Sequence, residues 1–129
     1  MRLEGLVEMT QCLLVDEDRA ELRELSRLFG GYGFQLAESA DAASALKHCQ
    51  AHKPDVVVMT DRIGDMSSGD FVKRIRKNSR GKPPVVLLYT EQPDTETIGR
   101  VILEGAAECL MKPLDRDLLE FKLKQVGLL

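Results

Sequence analysis

Four short polar clusters carry the residue types used in phosphoryl chemistry: Asp16-Glu17, Thr60-Asp61, Thr90 and Lys112. Adjacent carboxylates plus a third oxygen ligand suit Mg²⁺, which takes an octahedral oxygen set and keeps several waters. A hydroxyl donor and a lysine ammonium suit a phosphoryl group, the ammonium acting as a point charge. A carboxylate such as that of Asp61 is also a nucleophile able to carry a phosphoryl group as an aspartyl phosphate. For any one cluster, the plainer use of such residues is to cap a helix or solvate a loop. What raises the chemical reading is that all four sit at the same kind of place.

Each cluster closes a short apolar run. Residues 12–15, 56–59, 85–89 and 108–111 read as buried strands, being short, apolar and bounded by turn residues. The central run, Val56 to Met59, shows no polar alternation, so both of its faces are buried, as in the middle of a parallel sheet. A weaker strand is expected over 34–37. Between the strands lie helical patterns. Residues 19–29 place Leu22, Leu25, Leu28 and Phe29 on one face, with Gly30, Gly31 and Gly33 as the stop. Asp41 is the N-cap of the next helix, whose inner face is Ala42, Ala45, Leu46 and Cys49. Ser67 or Ser68 caps a third helix, with Phe71, Val72 and Ile75 inward. Residues 95–104 form a fourth, with Ile98, Val101 and Ile102 on one side and Gly105 as its stop. Asp115 caps a fifth, carrying Leu118, Leu119, Leu123 and Val126. Alternating strands and helices imply a parallel sheet covered on both faces and joined by right-handed crossovers. All strands then point their carboxyl ends to one edge, where open α/β sheets bind ligands.

Composition sets the outer limits. The chain has 129 residues, 43% hydrophobic and 30% charged, with a formal net charge of −3. One domain over 11–129 is expected, after a leader over 1–10 with no apolar signal core. No apolar run is long enough to cross a bilayer, so no membrane is expected. The net charge gives no electrostatic reason to expect nucleic acid as a partner. Cys12, Cys49 and Cys109 have no Cys-x-x-Cys spacing and read as small buried hydrophobes in a reducing cytoplasm.

The clusters, taken with their surroundings, resemble the receiver domain of two-component response regulators. The matching pieces are Leu13-Leu14-Val15-Asp16-Glu17, Gly33-Phe34, Pro54-Asp55-Val56-Val57-Val58, Gly64-Asp65-Met66-Ser67, Thr90, Gly105-Ala106 and Lys112-Pro113. The resemblance covers residues 12 to about 126. The resemblance implies a flavodoxin-like doubly wound sheet of five parallel strands, order 2-1-3-4-5, an arrangement the chemotaxis receiver exemplifies. It implies a regulatory domain of a phosphorelay rather than an enzyme. Its partners would be a sensor histidine kinase or phosphotransfer protein and a downstream effector. It implies Mg²⁺ held by Asp16, Glu17 and Asp61, a switch hydroxyl on Thr90, a phosphate-pairing Lys112 and a cis Lys112–Pro113 bond. The partner surface would be the face built from the 95–104 helix, the last strand and the final helix, with Arg100 and Lys122 exposed on it.

The sequence departs from the family at three points. The second acid is Glu17 rather than Asp. Cys109 stands where the family often has an aromatic switch residue. Counting from Pro54, or back from Gly64-Asp65-Met66-Ser67, puts Thr60 at the phosphoacceptor position and Asp61 one residue late. Neighbours in a strand point to opposite faces, so a one-residue offset matters, and a bulge could bring Asp61 into that place. Thr60 is the preferred register and Asp61 the alternative acceptor. With Thr60 there, Mg²⁺ binding is weakened and the hydroxyl lacks a base. Two other functions stay open: a pseudo-receiver that binds proteins without phosphorylation, and, more remotely, a flavodoxin-like nucleotide or flavin protein. Against the last, the turn after the first strand is acidic and lacks glycine.

Three further features are discounted. His48 and His52, four apart, read as a solvated helix end. Gly30-Gly31-Tyr32-Gly33 follows a helix, not a strand, and fails the context of a phosphate loop. The basic run Lys73, Arg74, Arg76, Lys77, Arg80 and Lys82 reads as a helix C-terminus set against its macrodipole; its other use is to bind an anion or acidic partner.

Overall fold

The structure, a computed structural model, describes residues 9–64, 66–79, 81–91 and 95–129, apart from the side chain of Thr97. The leader lies almost entirely outside these, as do Asp65, Arg80 and residues 92–94 of the expected polar loop. The elements run β1 (Gln11–Val15), α1 (Arg19–Gly30), β2 (Gln35–Ser39), α2 (Ala42–His52), β3 (Val56–Met59), β4 (Arg62–Ile63), β5 (Met66–Ser67), α3 (Ser68–Asn78), β6 (Val85–Thr90), α4 (Thr95–Glu104), β7 (Glu108–Met111) and α5 (Arg116–Gln125). Five strands form a parallel sheet in the order β2-β1-β3-β6-β7. That is the 2-1-3-4-5 order once the small β4-β5 hairpin is set aside.

Strand alternation divides the core into two layers. Cys12 and Leu14, Val56 and Val58, and Leu87 and Tyr89 face α1 and α5, meeting Leu22, Leu25, Phe29, Leu119 and Leu123. Leu13 and Val15, Val57 and Met59, and Val86 and Leu88 face the other side, meeting Ala45, Phe71, Val72, Ile75 and Val101. β3 is buried along its whole length, as its unbroken apolar run requires.

Helix ends follow the expected chemistry. Asp41 accepts from the Ser44 N–H at 2.7 Å, and Asp115 from the Asp117 N–H at 2.7 Å. Of the two serines offered as the cap of α3, Ser67 does the capping, accepting from the Asp70 N–H. Asp18 caps α1 through the Ala20 N–H at 2.9 Å.

Several local expectations need correction. β2 starts at Gln35 and runs to Ser39, because Phe34 turns into the α1 layer while the Ser39 carbonyl still accepts from the Asp16 N–H. The segment after β3 forms a hairpin around Gly64, whose φ of 61° favours glycine. Ile102 and Leu118 point outward, 49% and 46% exposed, while Val101 and Leu119 take the core positions. Gly30 is the last residue of α1 rather than its stop, and the cap falls on Gly31.

Candidate functional site

The carboxyl edge of the sheet gathers the predicted residues into two groups rather than one. Asp16 follows β1 with the parity of Cys12 and Leu14, so it falls on the α1–α5 side. There its carboxylate, 4% exposed, accepts from the Tyr89 hydroxyl through Oδ2 and from the Asp18 N–H through Oδ1 at 3.0 Å. Asp16 and burial together hold the Tyr89 phenol well above its ordinary pKa, burial being the larger cause. Lys112 Nζ lies 4.3 Å from the Tyr89 ring centroid and 3.5 Å from the Glu21 carboxylate. Tyr89, Glu21, Glu24, Glu91 and Lys112 border a cavity of about 530 Å³ beside α1.

The second group forms on the opposite face. Thr90 continues the parity of Val86 and Leu88, and its hydroxyl donates to Asp61 Oδ2 at 2.7 Å. The β3–β6 ladder runs one to one from Val56↔Val85 to Met59↔Leu88, so no bulge interrupts the paired residues. Asp61 reaches Thr90 from beyond the strand end. Its backbone is pinned there by the Ser68 N–H on its carbonyl at 2.9 Å and by buried Ile63 two residues on. Thr60 is half-buried. Cys109, at the family's aromatic position, packs against the second core layer; burial raises its thiol pKa, and its carbonyl accepts from Lys122 at 3.0 Å.

The two carboxylates are therefore held by consecutive residues of one strand, Tyr89 and Thr90. Consecutive strand residues point to opposite faces, and each of these two holds a different acid. Glu17 is exposed. Among the described residues, no group of three or more His, Cys, Asp or Glu side chains is placed to hold a metal ion. Both oxygens of Asp16 and one of Asp61 already accept protein donors. The set Asp16, Glu17 and Asp61 does not fit Mg²⁺, which needs several oxygens around one point.

Of the remaining predicted residues, Lys112–Pro113 is a cis peptide. Arg100 is exposed and pairs with Glu96 at 3.3 Å. Lys122 is not free on the surface. It is half-buried, with its ammonium held by Glu108 at 3.2 Å and by the Cys109 carbonyl. The residue that sequence reasoning missed is Tyr89. It sits in a continuous apolar run and reads as core; a polar tip on an otherwise buried aromatic was the available signal.

The response regulator receiver domain model matches residues 12–124. The chain is 30% identical over 125 residues to the two-component response regulator ORR27 of Oryza sativa subsp. japonica, covering 95% of this chain and 19% of that protein. It is 28% identical over 118 residues to the transcriptional regulatory protein ZraR of Klebsiella oxytoca, covering 92% of this chain and 26% of that one. The chain thus spans about a quarter or less of these relatives. The chemotaxis protein CheY4 of Vibrio cholerae matches with a TM-score of 0.83 at 26% identity, covering 92% of this chain and 99% of that one. The signal receiver domain of an HD domain-containing protein from Pseudomonas fluorescens Pf-5 matches at 0.82 and 27%, covering 92% and 94%. Among the described residues no helix is long and apolar enough to cross a membrane. With its flavodoxin-like sheet and its match across residues 12–124, this chain belongs to the receiver domains of two-component response regulators.

Proposed function

We propose that this receiver domain works as a protein-binding module whose strand-end site is closed by its own hydroxyls rather than by Mg²⁺. One observation carries the proposal. Tyr89 holds Asp16 and Thr90 holds Asp61, while Lys112 is drawn to Glu21 and the Tyr89 ring. Receiver domains generally bind Mg²⁺ at the acceptor site. Here three of the four carboxylate oxygens of Asp16 and Asp61 already accept protein donors. Thr60, at the acceptor place by spacing, brings a hydroxyl without a base.

The contact face would be the one built from α4, β7 and α5. Among the described residues, five of the seven large hydrophobic side chains that are exposed lie on these elements: Ile102, Leu103, Met111, Leu118 and Phe121. Leu103 is 88% and Phe121 60% exposed. Apolar side chains concentrated in this way mark a protein contact surface. Response regulators act with histidine kinases and effectors, and a downstream effector is the partner this face suits. A cytoplasmic setting belongs to the same proposal, in keeping with three unpaired cysteines.

The 2.7 Å contact between Thr90 and Asp61 favours one alternative, a switch phosphorylated on Asp61 by a kinase or phosphotransfer protein. Incubation with a small-molecule phosphoryl donor and Mg²⁺, followed by intact mass, separates the two. A closed site gives no added phosphoryl group. Label on the wild type that vanishes in Asp61→Asn, which keeps the shape but loses the nucleophile, establishes the switch instead. If Thr60 holds the acceptor place, Thr60→Asp gains label.

A further inference from the structure

The opposite edge of the sheet carries a second concavity that the receiver chemistry does not use. It lies between the C-terminal ends of α2 and α3, where β3 and β6 begin, and measures about 730 Å³. That volume is in the range of small-molecule sites. Its apolar floor is Leu46, Pro54, Ile75 and Pro84. Lys53, Lys77 and Lys82 line its rim, and no Asp or Glu among the described residues does.

Among the described residues the three lysines have no acidic partner within ion-pair distance. The nearest acid in sequence, Asp55, spends its carboxylate on the Gln11 N–H at 2.8 Å. Basic residues at helix ends often serve the helix dipole, through the last free carbonyls. Here several of those carbonyls are already bonded. Cys49 O accepts from the Lys53 N–H, Arg76 O from the Ser79 N–H, and Ile75 O from the Ser79 hydroxyl at 2.7 Å. The three lysines are exposed at the rim.

Lys53 adds an independent sign. It closes α2 in the left-handed region, φ 46° and ψ 67°, the one described non-glycine residue with a positive φ. Glycine or asparagine is the usual choice at that place, because a Cβ is disfavoured there. A lysine held in a strained conformation beside a cavity is the pattern expected where the side chain has a use.

We infer that this groove binds a small phosphorylated ligand with a flat apolar body, of the mononucleotide class. The phosphates meet Lys53, Lys77 and Lys82, and the body lies on the floor of prolines and aliphatic side chains. An extended acidic peptide is the other anion a basic groove attracts. The concave, partly apolar lining favours the compact ligand.

The test is amide NMR of the whole chain with ADP as probe, in low and high salt. Saturable shifts are expected at Cys49, Lys53, Asn78 and Ser79, weakened several-fold by salt. Lys53→Gln/Lys77→Gln/Lys82→Gln should weaken binding at least tenfold. Lys53→Gly separates function from structure. Glycine relieves the positive φ, so the variant should unfold no earlier than wild type while binding ADP several-fold more weakly. Absence of saturable shifts at millimolar ADP overturns the inference, as does unchanged affinity in the triple variant. Shifts confined to Asp16, Asp61 and Thr90 overturn it too, by moving the ligand to the opposite edge. Binding of a hexaglutamate peptide with ADP silent replaces the ligand class and refutes the assignment.

Discussion

Tyr89→Phe is the perturbation that reaches the heart of the strand-end arrangement. The change deletes one oxygen and leaves the ring in the α1–α5 layer, with Lys112 still over its face. What it removes is the hydroxyl on Asp16 Oδ2. Asp16 is 4% exposed, so water does not readily replace that donor; Oδ1 keeps the Asp18 N–H at 3.0 Å. Hydrogen bonds to charged groups contribute about 1.5–3 kcal/mol, so the loss should be about 2 kcal/mol. For 129 residues, with an unfolding entropy of about 2.1 cal/mol/K per residue, that corresponds to a melting point lower by about 7 °C. Urea unfolding should show a lower midpoint at unchanged slope. In an Asp16→Asn background the same substitution should cost far less, because the charge it served is gone. A Tyr89→Phe protein within about 0.5 kcal/mol of wild type would refute the claim that this hydroxyl holds Asp16. Equal cost in both backgrounds would refute it as well.

Three other outcomes follow from particular contacts. The folded Tyr89 phenol is held above its ordinary pKa of 10.0, so the unfolded chain releases that proton first; this contribution is fully present below pH 10 and is lost as the pH rises above it. Absorbance of tyrosinate should show Tyr89 ionising only together with unfolding, and a Tyr89 titration near pH 10 in folded protein contradicts this. Asp41→Ala removes the acceptor of the Ser44 N–H and should cost about 1 kcal/mol in urea unfolding. Leu103→Glu and Phe121→Glu should leave stability within about 0.5 kcal/mol while abolishing effector binding in a pull-down; retained binding by both moves the contact face elsewhere.

The architecture was legible because each signal was local. Apolar runs ending in polar residues gave the strands, and Asp41, Ser67 and Asp115 announced three helix starts. The site was less legible because its partners lie far apart in sequence. Asp16 and Tyr89 are 73 residues apart, and nothing near either residue points to the other. Strands that are apolar on both faces carry no alternation, so the sequence could not say that Tyr89 would hold Asp16 and Thr90 would hold Asp61. The outward turn of Ile102 and Leu118 was hidden for a related reason. Helical spacing identifies an apolar stripe, but not which edge of a wide stripe meets the core. Lys122 reads as a surface charge, and only the packing of α5 against β7 brings it to Glu108 and the Cys109 carbonyl.

The claim that the site is closed by its own hydroxyls is tested most directly by an amide NMR titration of the wild type with Mg²⁺, followed by beryllium fluoride as a phosphoryl mimic. The closed arrangement predicts that the amides of Asp16, Glu17, Thr60, Asp61 and Thr90 move no more than they do in a matched concentration of monovalent salt. Saturable shifts at Asp61 and Thr90, strengthened by beryllium fluoride and absent in Asp61→Asn, would contradict it.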